Sequence, residues 1–271
     1  MGAKIYINAY IIWGWQTLTK AWAKHITEQL HANGSVQVAP LAAGLGVSEV
    51  TVRRYLAHME AEGLLVRFYG GAILPQSLVP DVAFADKVTA HLEEKRRIAS
   101  VAATLVQDGN TIALGAGTTV AAMIPLLAGR RNLTVVTNAI NVAWELAHRP
   151  NIRLVVTGGI ARESSYVLYG RGAEQSLRDL FVDLAFIGVN GVSPVHGFTT
   201  PNPEEAHVHR LLLNRASRSV VMVDHSKWGR VAFAQIAPPM DVKTLISGGS
   251  APPEMVETFR RIGVEVLLTE S

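Results

Sequence analysis

The sequence predicts an α/β protein with two parts: a small N-terminal helical domain carrying a short β wing, then a larger α/β sandwich with a mostly parallel sheet. Two patterns support this prediction. In the first part, helical periodicities flank a tight glycine turn, and a short apolar hairpin follows them. In the second part, apolar runs alternate with helical patterns, as in a parallel sheet that helices cover on both faces. Of 271 residues, 49% are hydrophobic and 17% charged, which is typical of a globular chain with an ample core.

Composition excludes some classes of site. The formal charge of +3 is mild, so a nucleic-acid partner would have to meet locally concentrated positive charge. The chain has no cysteine, which excludes disulfides and thiolate metal sites and suits a reducing cytoplasm. His207 and His209 stand two apart, which on a helix points them to different faces. Because a zinc site needs three or four convergent ligands, the sequence predicts no metal site.

The N-terminal segment IYINAYIIWGWQTL is apolar and aromatic and lies between Lys4 and Lys20. It is shorter than the roughly 20 apolar residues that a spanning helix needs. No small-residue cleavage site follows it, which argues against a signal peptide. An additional helix, an interfacial segment and an early-assigned start codon all remain open for it. We expect no membrane partner.

The first two helices of the N-terminal domain are predicted from periodicity and turn residues. Trp22, Ile26 and Leu30 recur at intervals of four, the spacing of one helix face. Pro40 suits the first turn of a short second helix, where its missing N–H costs nothing. That helix is predicted to end in a tight glycine turn at Gly46.

The third predicted helix has a polar, exposed start and a buried face. Ser48 is a good N-cap, and Glu49 in the first turn interacts favourably with the helix dipole. Val52, Leu56 and Met59 repeat at the interval of a buried face. The segment LLVRFYGGAI then predicts a two-stranded wing that turns at its paired glycines.

A short helix, a tight turn and a second helix with an exposed polar start form the helix-turn-helix arrangement, whose second helix enters the major groove of DNA. An arginine pair such as Arg53–Arg54 is often only a solvated helix face, but the wing that follows favours double-stranded DNA as the partner. In this geometry four residues could reach base edges, namely Ser48, Glu49, Thr51 and Arg53. Three are better placed for phosphates, namely Arg54, His58 and Arg67.

Seven apolar runs in the second part are predicted β-strands. Helical stretches such as TTVAAMIPLLAG and EEAHVHRLLLNRA separate them. This alternation predicts parallel strands joined by crossover helices. The predicted strands are Thr111–Gly115, Leu133–Thr137, Ile152–Gly159, Asp183–Val189, Ser219–Asp224, Lys243–Ser247 and Val264–Thr269.

A polar, proline-bearing connector, PQSLVPDVAFADKVTAHLEE, separates the two parts. We therefore predict a winged helix-turn-helix domain over residues 17–74, a linker over 75–94 and the α/β domain over 95–271.

Small polar residues follow four of the predicted strands, as GAGTT, TNA, TGG and NG. Ligands of parallel sheets bind at these carboxyl ends, and Thr118 and Thr119 could cap the next helix or bind a phosphate there. Each loop alone is equally consistent with a structural turn, whereas four in one sheet favour a pocket for a polar anion. GAGTTV lacks the third glycine of a dinucleotide fingerprint and no Walker loop occurs, so no cofactor is predicted.

These motifs resemble the DeoR-type bacterial transcriptional regulators over about residues 26–266. The most specific are GVSEVTVRRYL, EGLLVRFYGGAILP, EEKRRIA, VTGGIARESS, HGFTTPNPEEA and VVMVDHSKWGR. The resemblance implies a winged helix-turn-helix and a sensor domain similar in fold to ribose 5-phosphate isomerase. It also implies a cytoplasmic, usually oligomeric repressor, a dimer or tetramer, of sugar uptake and catabolism genes. A phosphorylated sugar or related metabolite would release such a repressor from double-stranded operator DNA.

Carried over residue by residue, the resemblance also implies an effector pocket. Lys227 suits a phosphate or sugar oxygen as a point charge, although Glu205 at a helix start could serve only the helix dipole. The implied effector-binding residues are Gly115, Gly117, Thr118, Thr119, Thr137, Asn138, Gly158, Gly159, Asn190, Gly191, Glu205 and Lys227.

Three residues depart from the family pattern. Tyr55 and Gly115 each stand where aspartate is usual, so contacts within the DNA-binding domain and one ligand contact are in doubt. Asn190 replaces an aspartate found in many relatives and in the isomerases, and an amide cannot act as a carboxylate base. We therefore predict no enzyme activity and no catalytic residues. The alternative is a sugar-phosphate isomerase with a vestigial N-terminal domain, using Glu205, Asp224 and Lys227.

Overall fold

The computed structural model describes residues 22–30, 35–61, 64–68, 70–73 and 81–270. Internal contacts divide the chain into two compact units, Met1–Leu78 and Val79–Ser271. The apolar N-terminal segment lies outside the described residues. Among the described helices, none combines the length and apolar character that crossing a bilayer requires.

The first unit contains three helices and a small antiparallel sheet, in agreement with the predicted helix-turn-helix and wing. The elements are α1 (22–30), β1 (Ser35–Gln37), α2 (Val38–Leu45), α3 (Glu49–Ala61), β2 (Val66–Phe68) and β3 (Gly71–Ile73). Strand β1 was not predicted: it pairs with β3, so the wing has three strands in the order β1-β3-β2.

The predicted faces of α1 and α3 form the core of this unit. Val52, Leu56 and Met59 are each at most 2% exposed and cluster with Ile26 and Leu30. Gly46 ends α2 in the left-handed conformation, with a φ of 66°, and its N–H returns to the carbonyls of the last turn. Glycine adopts this conformation without steric cost, which explains the tight turn between α2 and α3.

All seven predicted strands are present in the second unit. They form one parallel sheet in the order β15-β14-β12-β9-β4-β5-β6. Their bounds are β4 Thr111–Leu114, β5 Leu133–Thr137, β6 Ile152–Val156, β9 Val182–Gly188, β12 Ala216–Val223, β14 Thr244–Ser247 and β15 Glu265–Leu268.

Helices cover both faces of this sheet, as predicted. The helices are α4 Phe84–Val88, α5 Leu92–Thr104, α6 Thr118–Ala121, α7 Ile140–Leu146, α8 Arg171–Arg178, α9 Pro203–Asn214 and α10 Pro253–Arg261. Alternate residues of β9 enter different clusters: Leu184 and Phe186 pack with α5, α6 and α7, whereas Ala185 and Ile187 pack with α8, α9 and α10. Short 3-10 segments are Ile124–Leu127, His225–Lys227 and Pro239–Asp241.

Two antiparallel elements of the second unit were not predicted. One is a three-stranded sheet of order β10-β11-β13, and the other is the hairpin β7–β8. The described part of the predicted linker, 81–94, contains α4 and the first residues of α5 and belongs to this unit. The strands are β7 Ile160–Ala161, β8 Leu168–Tyr169, β10 Gly191–Ser193, β11 Gly197–Thr200 and β13 Ala234–Ala237.

Candidate functional site

Helix α3 begins at a hydroxyl cap, as its sequence predicts. The backbone N–H of Thr51 donates to Ser48 Oγ at 3.2 Å, and the two hydroxyl oxygens lie 2.9 Å apart. Ser48, Glu49 and Val50 are exposed to solvent, and 72% of the surface of Val50 is accessible. The helix therefore presents hydroxyl, carboxylate and methyl groups to solvent, and these are chemical types that can read base edges in a major groove.

Arg53 is held by an intrahelical ion pair with Glu49, four residues earlier. The two side chains remain 56% and 46% exposed. An exposed pair of this spacing contributes only about 0.3–0.5 kcal/mol, so Arg53 can exchange its partner for a DNA group at little cost.

Arg67 of the wing is also paired within the unit. Its Nε donates to Glu60 Oε2 at 2.7 Å, and its backbone N–H donates to Glu60 Oε1 at 2.8 Å. These two hydrogen bonds lower the pKa of Glu60. Arg67, predicted to contact phosphate, therefore joins β2 to the end of α3.

Tyr55 of α3, one of the departures from the family pattern, has a structural role. Tyr55, in place of aspartate, packs edge-on against Trp22 of α1, with ring centroids 5.8 Å apart. An apolar contact between two helices thus occupies the position of a charged residue. Arg54 and His58, the other residues predicted to meet phosphates, are exposed on the same helix.

In the second unit, a cleft opens at the carboxyl ends of β4, β9 and β12, three neighbouring strands of the sheet. The cleft is partly open to solvent, and its interior has room of about 50 Å³ for the centres of water-sized molecules. Gly117, with a φ of 133°, lets the loop after β4 pass close to Gly188. The predicted effector residues that line the cleft are Gly117, Thr118, Thr119, Asn190, Glu205 and Lys227.

Three lysines and two carboxylates line this cleft. Lys95 is only 3% exposed, and its Nζ donates to the carbonyl oxygen of Lys87 at 2.6 Å. Burial lowers the pKa of both lysines, against the opposing attraction of nearby carboxylates. Lys227 Nζ lies 3.9 Å from Asp224 Oδ2, and Glu205 is the second carboxylate.

Asp224 is the most buried of these charged groups, at 1% exposure. Burial opposes its ionisation, but Lys227, the hydroxyl of Ser226 and Lys95 together hold its pKa below the ordinary value. The Ser226 N–H donates to Asp224 Oδ1 at 3.0 Å. The side chain is therefore a carboxylate fixed among cations, and it can accept hydrogen bonds from the hydroxyl groups of a ligand.

A strap formed by α4 and the β7–β8 hairpin borders the cleft. The Phe84 N–H donates to the carbonyl of Ser164 at 2.7 Å, and Arg162 pairs with Asp81 and lies 3.8 Å from Glu205. Ser165 lines the cleft, and its buried hydroxyl makes no hydrogen bond within the described residues.

Three predicted effector residues at the ends of β4 and β5 do not line this cleft. A Cβ on Gly115 would lie 3.0 Å from Ile187 and 3.3 Å from Nε2 of the buried His209, so an aspartate would crowd this position. The Thr137 hydroxyl donates to the carbonyl of Leu114 at 2.6 Å. Asn138 is buried and donates to Leu168 of the hairpin.

Three further glycines also lie away from the cleft, at close backbone contacts. A Cβ on Gly159 would collide with the carbonyl oxygen of Tyr169, and one on Gly158 would meet Gly172. Gly191 packs against Thr199 and the backbone of Arg230, just after the 3-10 turn His225–Lys227. The sheet order explains the position of Gly158 and Gly159, because β6 is two strands from β4, roughly 10 Å at the usual strand spacing.

Sequence reasoning missed several residues that the cleft brings together. The sequence does indicate that Lys95 is buried, because it precedes the buried Ile98 and Ala99 by three and four residues and so shares their helix face. Asp224 directly follows β12, and the sequence analysis had named it only as a candidate of the isomerase alternative. Lys87 had no such signal. The lining residues that the sequence did not predict are Phe84, Lys87, Lys95, Ala116, Ser165, Gly188, Val189, Met222 and Val223.

Both units match models of one protein family. A model described as a DeoR-like helix-turn-helix domain matches residues 23–78, and one described as a DeoR C terminal sensor domain matches residues 90–249. A candidate aga operon transcriptional repressor from Escherichia coli O157:H7 is 35% identical over 93% of this chain and 94% of its own. The HTH-type transcriptional repressor GlcR of Bacillus subtilis is 33% identical over 90% of this chain and 94% of its own.

The comparison with solved structures is more distant. Ribose 5-phosphate isomerase A from Methanocaldococcus jannaschii aligns with 49% of this chain and 53% of its own, at 24% identity and a TM-score of 0.38. The family models and full-length relatives are the informative matches. The chain belongs to the DeoR family of helix-turn-helix transcriptional regulators.

Proposed function

We propose that this regulator is a repressor of sugar uptake or catabolism genes that leaves its operator when a phosphorylated sugar occupies the cleft. The observation that carries the proposal is the cleft itself, in which Lys87, Lys95 and Lys227 line the same space as Thr118 and Thr119 at the carboxyl ends of parallel strands. Relatives at 33–35% identity are named as repressors, one of them of the aga operon. We further expect a homo-oligomer and a cytoplasmic location, where operator DNA is accessible.

The phosphate is the part of the ligand that the lysines would recognise. Burial removes water from Lys95 and Lys87, and a bound dianion would supply an anionic partner to each ammonium group. The dipole of α6 can contribute little to phosphate binding, because this helix is only four residues long. We therefore assign the phosphate mainly to lysine Nζ groups and threonine hydroxyls.

The sugar would be recognised by polar groups on the other sides of the cleft. The carboxylates of Asp224 and Glu205 can accept hydrogen bonds from ligand hydroxyls. Asn190 is held through its Oδ1, which accepts the Thr200 hydroxyl at 3.1 Å, and its amide N–H groups can donate. This combination favours a hydroxylated anion over an apolar ligand.

On the DNA side, we propose that the exposed start of α3 reads bases and that Arg54 and His58 contact phosphates. Arg53 would give up Glu49 for a base edge or a phosphate on binding. A specific complex should weaken with salt at a log–log slope of about −0.9 per neutralised phosphate.

The test is fluorescence anisotropy of labelled DNA from upstream of this protein's own gene, titrated with full-length protein and then with a panel of sugar phosphates. The proposal expects salt-sensitive specific binding that one compound reverses. Lys227→Met should still bind the operator but lose release, whereas Lys243→Met, an exposed lysine away from the cleft, should behave like the parent.

Other outcomes identify which part of the proposal is wrong. Operator binding that no sugar phosphate affects would remove the proposed ligand class and keep the regulator. No specific binding, together with turnover of a pentose or hexose phosphate that Glu205→Gln abolishes, would establish the isomerase alternative instead.

A further inference from the structure

A group of three metal-ligating side chains lies in the second unit, outside the residues that line the cleft. His91 precedes α5, Glu94 is in its first turn, and His225 is in the 3-10 turn after β12. Their potential ligand atoms all lie within 4.8 Å of one another. The sequence did not predict this group, because 131 residues separate Glu94 from His225.

The carboxylate is the fixed member of the group. Glu94 Oε1 accepts the backbone N–H of His225 at 2.8 Å, and Oε2 lies 2.7 Å from His225 Nδ1. The Glu94 side chain is 10% exposed and that of His225 is 42% exposed. A Cβ on Gly248, at the end of β14, would collide with this carboxylate, so glycine there leaves space for it.

His91 has no role in that hydrogen-bonded pair, yet it is held beside it. Its backbone has a φ of 54°, in the left-handed region that non-glycine residues seldom adopt. Its ring lies edge-on to the His225 ring, with centroids 4.6 Å apart. Two solvent-accessible imidazoles thus stand over one buried carboxylate.

We propose that His91, Glu94 and His225 form a three-ligand site for a divalent metal of the zinc class. Zinc accepts two imidazoles and one carboxylate at about 2.0–2.2 Å, with water in the fourth position. Ligand atoms around such an ion are about 3.3 Å apart, so rotation of the exposed imidazoles would close the present spacing. Imidazole ligands select zinc, cobalt and nickel over magnesium and calcium.

Such an ion would clamp the start of α5 to the end of β12 behind one wall of the cleft. Lys95 directly follows Glu94 in the chain, Asp224 directly precedes His225, and both line the cleft. The proposal is independent of the effector and of DNA, and its test uses neither.

The test is a titration of tag-free, full-length, metal-free protein with Co²⁺ alone, monitored by calorimetry and by visible absorption. Competition with Zn²⁺ is then measured on the Co²⁺-loaded protein. The expected result is one ion per chain, with the absorption of a four- or five-coordinate site. His91→Asn should lower metal affinity by about 100-fold or more, since loss of outer-shell partners alone costs about 10–100-fold. Asparagine tolerates the left-handed conformation, so the variant should fold.

His148→Asn is the matched control, because His148 is exposed and lies outside the group. It should bind metal like the parent, and Zn²⁺ should raise the melting temperature of the parent and of this control but not of His91→Asn. His225→Gln is a second loss variant if the first melts early without metal. Absence of stoichiometric binding by the parent, or equal binding by His91→Asn and His148→Asn, would overturn the proposal.

Discussion

The start of α3 and the cleft both present charged groups, but in opposite environments. Arg53 and Glu49 pair while remaining 56% and 46% exposed, whereas Lys95 and Asp224 are only 3% and 1% exposed. An exposed pair is screened by water and salt and exchanges partners at little cost. A buried lysine has lost its hydration and gains strongly from a new anionic partner. The first environment suits a polyanion bound by many weak contacts, and the second suits one small anion bound by few strong ones.

The largest expected effect is the loss of effector binding when a buried lysine of the cleft is replaced. Lys95→Met should weaken effector binding by about 10–100-fold, because a hydrogen bond to a charged group contributes about 1.5–3 kcal/mol. Calorimetry with the compound that releases operator DNA measures this loss, and Lys243→Met is the control. Unchanged affinity in a folded Lys95→Met would show that this lysine does not face the phosphate.

Substitutions at the exposed start of α3 should have smaller effects on DNA binding, and the two arginines should differ in the kind of effect. Arg53→Ala should relax base preference, at about 1–3 kcal/mol for a lost bidentate contact. Arg54→Ala should weaken all DNA sequences about equally and reduce the salt slope by about 1. Anisotropy with operator and scrambled DNA distinguishes the two, and parental binding by both variants would contradict the docking of α3.

The contact of Tyr55 with Trp22 should affect stability rather than DNA reading. Tyr55→Ala should destabilise the N-terminal unit by about 1 kcal/mol, the usual contribution of an aromatic pair together with some lost burial. Val50→Ala, at a 72% exposed position of the same helix, is the matched control and should melt like the parent. Equal melting of both variants would mean that the ring contact contributes nothing.

The smallest expected effect is a pH dependence. Burial holds the pKa of Lys95 below its ordinary value of 10.5, so the unfolded chain binds more protons in the interval between the two values. Stability should therefore rise with pH through that interval. Denaturant unfolding at several pH values should show a smaller rise for Lys95→Met than for the parent. An identical rise would assign the effect to other groups.

The predictable parts of the fold were those set by local sequence. Val52, Leu56 and Met59 specify the buried face of α3 by spacing alone, and all seven parallel strands were predicted from their apolar runs. Strand β1 was missed because its partner β3 lies far along the chain, whereas the paired glycines at the turn between β2 and β3 mark a local hairpin. The order of strands in the sheet depends on long-range packing, which local patterns do not contain.

That missing strand order also limited prediction of the cleft. The loops after β4 and β9 reach it, but those after β5 and β6 lie toward one edge of the sheet, so Thr137 and Gly158 serve packing instead. The segment after β12, with Asp224 and Lys227, takes their place. Lys87 comes from a polar connector whose fold against the sheet no short-range pattern indicates.

The most direct test of the central claim compares the releasing sugar phosphate with the same sugar lacking its phosphate, by calorimetry on the parent and on Lys227→Met. We expect strong binding of the phosphorylated form by the parent, weak binding of the free sugar, and a clearly smaller difference between the two ligands in Lys227→Met, where two of the three lysines remain. Equal binding of both ligands by the parent, or full phosphate discrimination in Lys227→Met, would contradict recognition of phosphate by the lysines of the cleft.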